Sequence, residues 1–208
     1  MNLRLLSYNI RFGGRGREQR IAEVVRAAAP DLVVFQEATD TRVVERVAEA
    51  AGLPRRAARP GHSIAYAARL EVAEHAWHHP EGSRHPFMEI VLADHHTRVF
   101  GLHLSARFSK WSERRRAREM RALLEGIRRH QEGFHVLVGD FNTLAPGELL
   151  ELARMPAWDP SVRLDYLFLP ARDAARLRAC DVLDVPGAAA ASDHLPLLAE
   201  IDLPAPGG

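Results

Sequence analysis

"VLVGDFNTLAPGE", residues 136–148, passes from apolar to acidic to turn-forming within a few steps. Val136–Gly139 has the length and composition of a buried strand rather than a helix. Asp140 and Asn142 follow, two apart, where the strand stops, and Pro146–Gly147 predicts a turn. A carboxylate is costly to desolvate without a partner. The pair therefore either caps the turn or lines a site. Side chains two apart on a strand share a face, so both can address one bound group.

Upstream, the pattern reads strand–helix–strand–helix. Leu3–Ile10 is a short strand-forming run, and Gly13, Gly14 and Gly16 follow as a loop. Glu18–Ala29 places Ile21, Val24, Val25 and Ala28 at helical spacing, and Pro30 stops it. Asp31–Glu37 is a second buried strand. Asp40–Ala51 is a second helix ended by Gly52. The middle changes character: "HSIAYAARL" (62–70), "VAEHAWHH" (72–79) and "FMEIVLADHHTRVFGLHLS" (87–105) read as consecutive strands, with a hairpin turn at Asp94–Thr97. Ser112–Gln131 is a helix with Met120, Leu123, Leu124 and Ile127 on one face and arginines on the other. After the 136–148 stretch come a short helix near Gly147–Arg154 and strands in "VRLDYLFL", "RLRACDVLDV" and "ASDHLPLLAEIDL". No repeat or long linker divides the chain. The expectation is one domain over residues 1–203, with 204–208 a frayed tail. Many strands with few helices predict an α+β chain of two packed sheets with helices outside.

Composition narrows the classes. The chain has 208 residues, 47% hydrophobic, and a net charge of +1. That suffices for one sizeable core and does not point to a histone-like nucleic-acid binder. Lys110 is the only lysine, so the basic side is almost all arginine. Guanidinium forks suit phosphate, and GC-rich coding gives the same excess. Cys180 is the single cysteine, which excludes an intrachain disulfide. The start "MNLRLLSYNI" lacks the apolar core of a signal peptide. No run reaches the roughly 20 apolar residues of a membrane span. A cytoplasmic protein is expected, with no membrane span and no obligate protein partner.

Polar groups recur where apolar strands begin, end or are interrupted: Asn9 in "SYNI", Glu37 in "VVFQE", His103 in "VFGLHLSA", Asp140 and Asn142, Asp165 in "RLDYLFL", and Asp193–His194 in "ASDHLPLL". Each alone could cap or brace a turn. Together, such carboxylates and amides suggest a shared positive partner, and oxygen ligands suit Mg²⁺ or Mn²⁺. There is no cysteine cluster or HExxH for zinc, no phosphate-binding GxxxxGK[ST] loop and no GxSxG serine elbow.

"SYNI", "FQEA", "GLHLS", "VGDFN", "LDYLF" and "SDHLP" stand in the order found in the endonuclease/exonuclease/phosphatase superfamily, which the chain resembles from Asn9 to His194. The resemblance implies a compact four-layered α/β/β/α sandwich with two mostly antiparallel sheets. It also implies Mg²⁺- or Mn²⁺-dependent hydrolysis of a phosphate ester, most simply a phosphodiester. By the same resemblance, Glu37 is the main metal ligand, with Asn9 beside it or hydrogen-bonded to it. Asp193 supports the metal or a second metal site. Asp140 orients or deprotonates the attacking water, and Asn142 donates to a phosphate oxygen. His194 faces the phosphate, Asp165 holds the far nitrogen of His194, and His103 donates to the phosphate, with general-acid duty in some members.

The chain departs from the abasic-site endonucleases at two places: Arg11 stands where they carry an acidic second ligand, and His103 where they use tyrosine. The substrate stays open among nucleic acid, nucleotide, inositol phosphate and phospholipid head group. "SERRRAREMR" (112–121) reads as the solvated face of a helix or as an anion-binding patch. Trp77, Trp111 and Trp158 read as core or rim residues rather than as stacking platforms for a base or ring. The alternative function is a non-catalytic phosphate or nucleic-acid binding module that kept the fold.

Overall fold

Residues 1–81, 83–93, 97–105, 110–128, 133–142 and 164–205 are described by the structure, a computed structural model. β1 (Asn2–Asn9) and β2 (Leu32–Gln36) run parallel, so a crossover must join them. That crossover is α1 (Glu18–Ala28), which buries Ile21, Ala22, Val24, Val25 and Ala28. It ends where Ala29 turns left-handed and its N–H meets the carbonyls of Val25 and Arg26. α2 (Thr41–Ala51) begins at Asp40, whose carboxylate accepts the Arg42 N–H at 3.0 Å. Left-handed Gly52 closes it.

The first sheet adds β3 (Arg55–Ala57), β4 (Ala65–Ala68), β10 (Leu177–Val182) and β11 (Leu197–Asp202) in the order β10-β11-β1-β2-β4-β3. The second holds β5 (Val72–His78), β6 (Phe87–Leu92), β7 (Arg98–His103), β8 (His135–Asp140) and β9 (Asp165–Phe168) in sequence order. Only β1–β2 and β7–β8 are parallel among the described pairings; the rest are antiparallel. α3 (Lys110–Ile127) supplies the β7–β8 crossover.

Three apolar clusters separate four layers. Tyr8, Val33 and Phe35 pack outward against α1 and α2. Leu3, Leu5, Leu32 and Val34 of the first sheet meet Met88, Ile90, Val99, Val136 and Val138 of the second. Phe100, Leu102 and Leu137 pack outward against Met120, Leu123 and Ile127 of α3. Both faces of the central strands are thus buried, which explains their near-continuous apolar reading. The result is the α/β/β/α sandwich the sequence implied.

The period of two along each strand positions the site. The inward face of β1 runs Leu3, Leu5, Ser7, Asn9, that of β7 runs Val99, Gly101, His103, and that of β8 runs Val136, Val138, Asp140. Each inward row begins apolar and ends in a polar residue at one edge of the sandwich. Gly139 makes this approach possible. Its φ is 146°, and a Cβ there would lie 2.0 Å from the Leu102 carbonyl oxygen.

Several expectations change. β3 was not legible, being a short, exposed edge strand with two arginines and no apolar alternation. The last strand starts at Leu197, so Asp193 and His194 lie in the preceding loop, before Pro196. The arginine face of α3 is not wholly solvated. Arg116 is fully buried and donates to the Ser105 carbonyl at 2.9 Å, and buried Glu119 accepts the Ser105 N–H and hydroxyl. Arg114, Arg115 and Arg118 are exposed. β6 and β7 do pair as a hairpin, but its turn residues 94–96 lie outside the described residues. So do the short helix expected near Gly147–Arg154, the Pro146–Gly147 turn, Trp158 and residues 206–208 of the tail.

Candidate active site

Asn9 ends β1, Glu37 follows β2, His103 ends β7, Asp140 ends β8 and Asp165 begins β9. Asp193 and His194 precede β11, which runs antiparallel to β1. Parallel strands end, and antiparallel strands begin, at the same edge. The topology therefore gathers these residues at one end of the sandwich.

Asn9 joins the two sheets there. It is 1% exposed, and its Nδ2 donates to Asp140 Oδ2 at 3.0 Å and to Glu37 Oε1 at 3.3 Å. Its Oδ1 accepts the Arg11 N–H at 2.9 Å. The amide thus spends both donors on carboxylates and braces them rather than standing alone. Glu37 Oε2 accepts the Phe12 N–H at 2.6 Å. Glu37, Arg11 and Phe12 all hold left-handed backbone (φ 54°, 49° and 48°). Non-glycine residues pay strain in this region, and such residues cluster at functional sites.

Asp140 is 1% exposed. Its Oδ1 accepts the Asn142 N–H at 2.8 Å, and its Oδ2 faces two imidazoles, with His103 Nε2 at 3.7 Å and His194 Nε2 at 3.9 Å. Burial, and then the charge of Asp165, push its carboxyl up to about 7. His194 Nδ1 lies 2.7 Å from Asp165 Oδ2. Burial pulls the His194 imidazolium down, but the bond and charge of Asp165, with Asp140 and Asp193, hold it up at about 9. Asp165 Oδ1 is buried and has no hydrogen-bond partner among the described residues. His103 differs: burial pulls it down to about 3, so this ring is neutral.

Asn142 does not continue the strand. β8 stops at Asp140, and Asn142 turns left-handed with φ 50°. Its Nδ2 donates to the Leu104 carbonyl at 2.9 Å, which leaves one N–H of that amide for other partners. Asp193 is half exposed and sits 3.2 Å from the Arg11 guanidinium. The arginine that replaces an acidic residue in "YNIRF" is thus paired with the acidic residue of "SDHLP".

Three residues beyond those expected join the site. Ser192 Oγ donates to the Asn9 carbonyl at 2.7 Å and receives the His194 N–H at 3.3 Å, tying the Asp193–His194 loop to β1. Ser63 Oγ accepts the Glu37 N–H at 3.1 Å and meets His103 Nδ1 at 2.5 Å. His85 stacks on His103 at 4.8 Å between centroids. Such contacts depend on tertiary placement and follow no motif. A cleft of about 500 Å³ beside α2, β3 and β4 is lined by none of the site residues.

Residues suited to a cation are present. Ligand atoms of Asp140, Asp165 and His194 lie within 4.8 Å of one another, and Glu37 is bridged to Asp140 through Asn9. Burial, and then repulsion from Asp165, raise the Asp140 carboxyl, and the buried Asp165 oxygen has no partner among the described residues; a cation here would ease the repulsion and engage that oxygen.

Residues 6–194 match the Endonuclease/Exonuclease/phosphatase family, and the chain belongs to it. Solved structures share the fold at low identity. Sphingomyelinase C from Streptomyces griseocarneus is 18% identical, with a TM-score of 0.72, and the match covers 97% of this chain and 100% of that one. The human Nocturnin catalytic domain with bound sulfate is 19% identical, with a TM-score of 0.70 and coverage of 98% and 95%. The beta toxin of Staphylococcus aureus with bound magnesium ions is 14% identical, with a TM-score of 0.68 and coverage of 97% and 100%. No match is found among curated protein sequences. Among the described residues no helix is long and apolar enough to cross a membrane.

Proposed function

We propose that this chain is a Mg²⁺- or Mn²⁺-dependent phosphoesterase that cleaves a phosphodiester by in-line attack of water. The observation that carries this reading is the convergence on Asp140 Oδ2 of the Asn9 amide and the His103 and His194 imidazoles. Asp140 aligns the attacking water and accepts its proton, a task suited to a carboxyl held near neutral pH. His194, kept cationic by Asp165, faces the negative charge that builds on the phosphoryl oxygens and supplies the proton that leaves with the departing oxygen. The water's O–P bond forms and the ester P–O bond breaks. In this reading His103, and the second amide N–H of Asn142, donate to a phosphoryl oxygen.

Glu37 is assigned to hold the cation, with Asn9 orienting its carboxylate and Asp193 beside it. Asp140, Asp165 and His194 are assigned to proton work, because His194 Nδ1 is already engaged by Asp165. A bound divalent ion would neutralise phosphate charge and charge developing on the leaving oxygen. The fold shared with a protein named as a sphingomyelinase supports a phosphodiester over a monoester.

The test is a substrate panel with Mg²⁺ and Mn²⁺: bis(4-nitrophenyl) phosphate, 4-nitrophenyl phosphate, single-stranded and nicked DNA, RNA, sphingomyelin and inositol phosphates. Chelator-sensitive turnover of a diester supports the reading. Binding without turnover of any of them would favour a non-catalytic module.

A further inference from the structure

Ser63 is 2% exposed and lies just before β4, away from every motif that marks the site. Its hydroxyl has two partners among the described residues: the Glu37 N–H at 3.1 Å and His103 Nδ1 at 2.5 Å. A hydroxyl offers one donor and two acceptor positions. A backbone N–H can only donate, so the Glu37 contact uses an acceptor position. If His103 Nδ1 also carried a proton, Ser63 would receive two donors and its own buried hydrogen would have no acceptor. Such an unmade bond costs about 1–3 kcal/mol. If instead Nδ1 is bare, the Ser63 hydroxyl donates to it while accepting from Glu37, and both contacts of Ser63 are satisfied.

We infer that Ser63 is a positioning residue that fixes His103 in the Nε2–H tautomer, making it a neutral donor to the phosphate rather than a proton shuttle. The stacking of His85 on His103, with 2° between the planes, holds the ring's plane, so the Nε2–H lies in that plane on the Asp140 side of the ring, 3.7 Å from Asp140 Oδ2 and open to a phosphoryl oxygen bound there. A neutral imidazole whose Nδ1 is occupied as an acceptor has no ready proton to give and no lone pair facing the substrate. Proton transfer is then left to Asp140 and His194. The same hydroxyl anchors the backbone of Glu37, so one serine sets both the strained turn carrying that carboxylate and the polarity of the facing imidazole.

The assignment of the tautomer stands on hydrogen-bond geometry alone; its kinetic consequence rests on the phosphoesterase reading. The test separates them. Long-range ¹H–¹⁵N spectra of the ¹⁵N-histidine-labelled full chain report each ring nitrogen directly, with His103→Asn used to assign the signal. His103 is expected to show a non-protonated Nδ1 and a protonated Nε2 at neutral pH. In Ser63→Ala the signal should move toward a mixture of tautomers, and kcat should fall about 10- to 100-fold, as for other outer-shell partners, with a smaller change in KM. Ser63→Thr keeps the hydroxyl and should restore both the tautomer and most of kcat. A protonated Nδ1 in the unaltered chain overturns the inference without any variant. An unchanged tautomer in folded Ser63→Ala overturns it as well. A correct tautomer in a chain that hydrolyses no phosphoester leaves this inference standing and removes the functional reading instead.

Discussion

His194 Nδ1 lies 2.7 Å from Asp165 Oδ2, although the two residues are 29 positions apart and come from a loop and a strand of different sheets. The bond fixes the ring so that Nε2 faces Asp140. It also sets the charge of the site, because Asp165 raises both neighbours: His194 by a direct bond and Asp140 by repulsion.

Asp165→Asn should therefore move the whole pH–rate profile toward acid. In the proposed mechanism activity needs Asp140 deprotonated, so it rises with pH through that group. It needs His194 protonated, so it falls as pH passes through that one. With the Asp165 charge removed, both groups titrate lower and both limbs shift down. The peak rate should fall roughly 10²- to 10⁴-fold, the range of a positioned acid or base. The profile of kcat/KM from pH 5 to 10 checks this; limbs that stay fixed would contradict it.

Asp140 should be a liability for the metal-free fold. Its folded carboxyl titrates near 7 against about 3.8 unfolded, so the folded state keeps a proton that the unfolded chain has released. By linkage, stability falls as pH rises through that window. Asp140→Asn removes the penalty and should raise Tm at pH 8 in chelator, with little gain at pH 4. Thermal melts at the two pH values decide it. An equal shift at both would assign the gain to some other cause.

Gly139→Ala should disturb the approach of β7 and β8. Its Cβ would overlap the Leu102 carbonyl, and overpacking of this kind costs about 1–3 kcal/mol. At about 2–4 °C per kcal/mol for a chain of this size, Tm should drop by several degrees. Gly52→Ala is the control, since that glycine is also left-handed but has nothing within 4 Å of its Cβ position. A drop no larger than the control's would show that backbone conformation, not the close approach, requires Gly139.

Glu37→Gln should weaken the response to Mg²⁺ or Mn²⁺ more than Asp193→Asn does. Glu37 is braced by Asn9 and the Phe12 N–H, whereas Asp193 is half exposed and already paired with Arg11. Metal titrations of activity and of Tm, run side by side, give the order. A larger loss in Asp193→Asn would reverse the assignment of the main ligand.

Much of this site was legible because its residues end strands that are otherwise apolar. A carboxylate closing "VLVGD" or a histidine closing "VFGLH" stands out against a buried run, and the order of the blocks supplied the family. The inward rows that end in Asn9, His103 and Asp140 follow from strand periodicity once the faces are known. Asn142 was misplaced by that same rule, because β8 stops two residues earlier, at Asp140, and the chain turns left-handed at Asn142. Ser63 and His85 were not legible at all, and Ser192, though it opens "SDHLP", carried no sign of its own contacts. Serine and histidine near strand ends are common, and only the approach of Ser63 and His85 to His103, and of the last loop to Asn9, gives them a role. Arg116 was hidden for a related reason: a long cationic chain within an arginine run reads as surface, yet the Ser105 carbonyl receives it inside.

In the proposed mechanism Asp140 and His194 together carry out metal-dependent hydrolysis of a phosphodiester. The most direct measurement is turnover of bis(4-nitrophenyl) phosphate by the full chain, Asp140→Ala and His194→Ala, each with Mg²⁺, Mn²⁺ or chelator. The unaltered chain should release 4-nitrophenol only with metal, and both variants should lose nearly all activity while keeping the far-ultraviolet circular dichroism of the folded chain. Folded variants that turn over at the unaltered rate, or activity indifferent to chelation, would contradict the account.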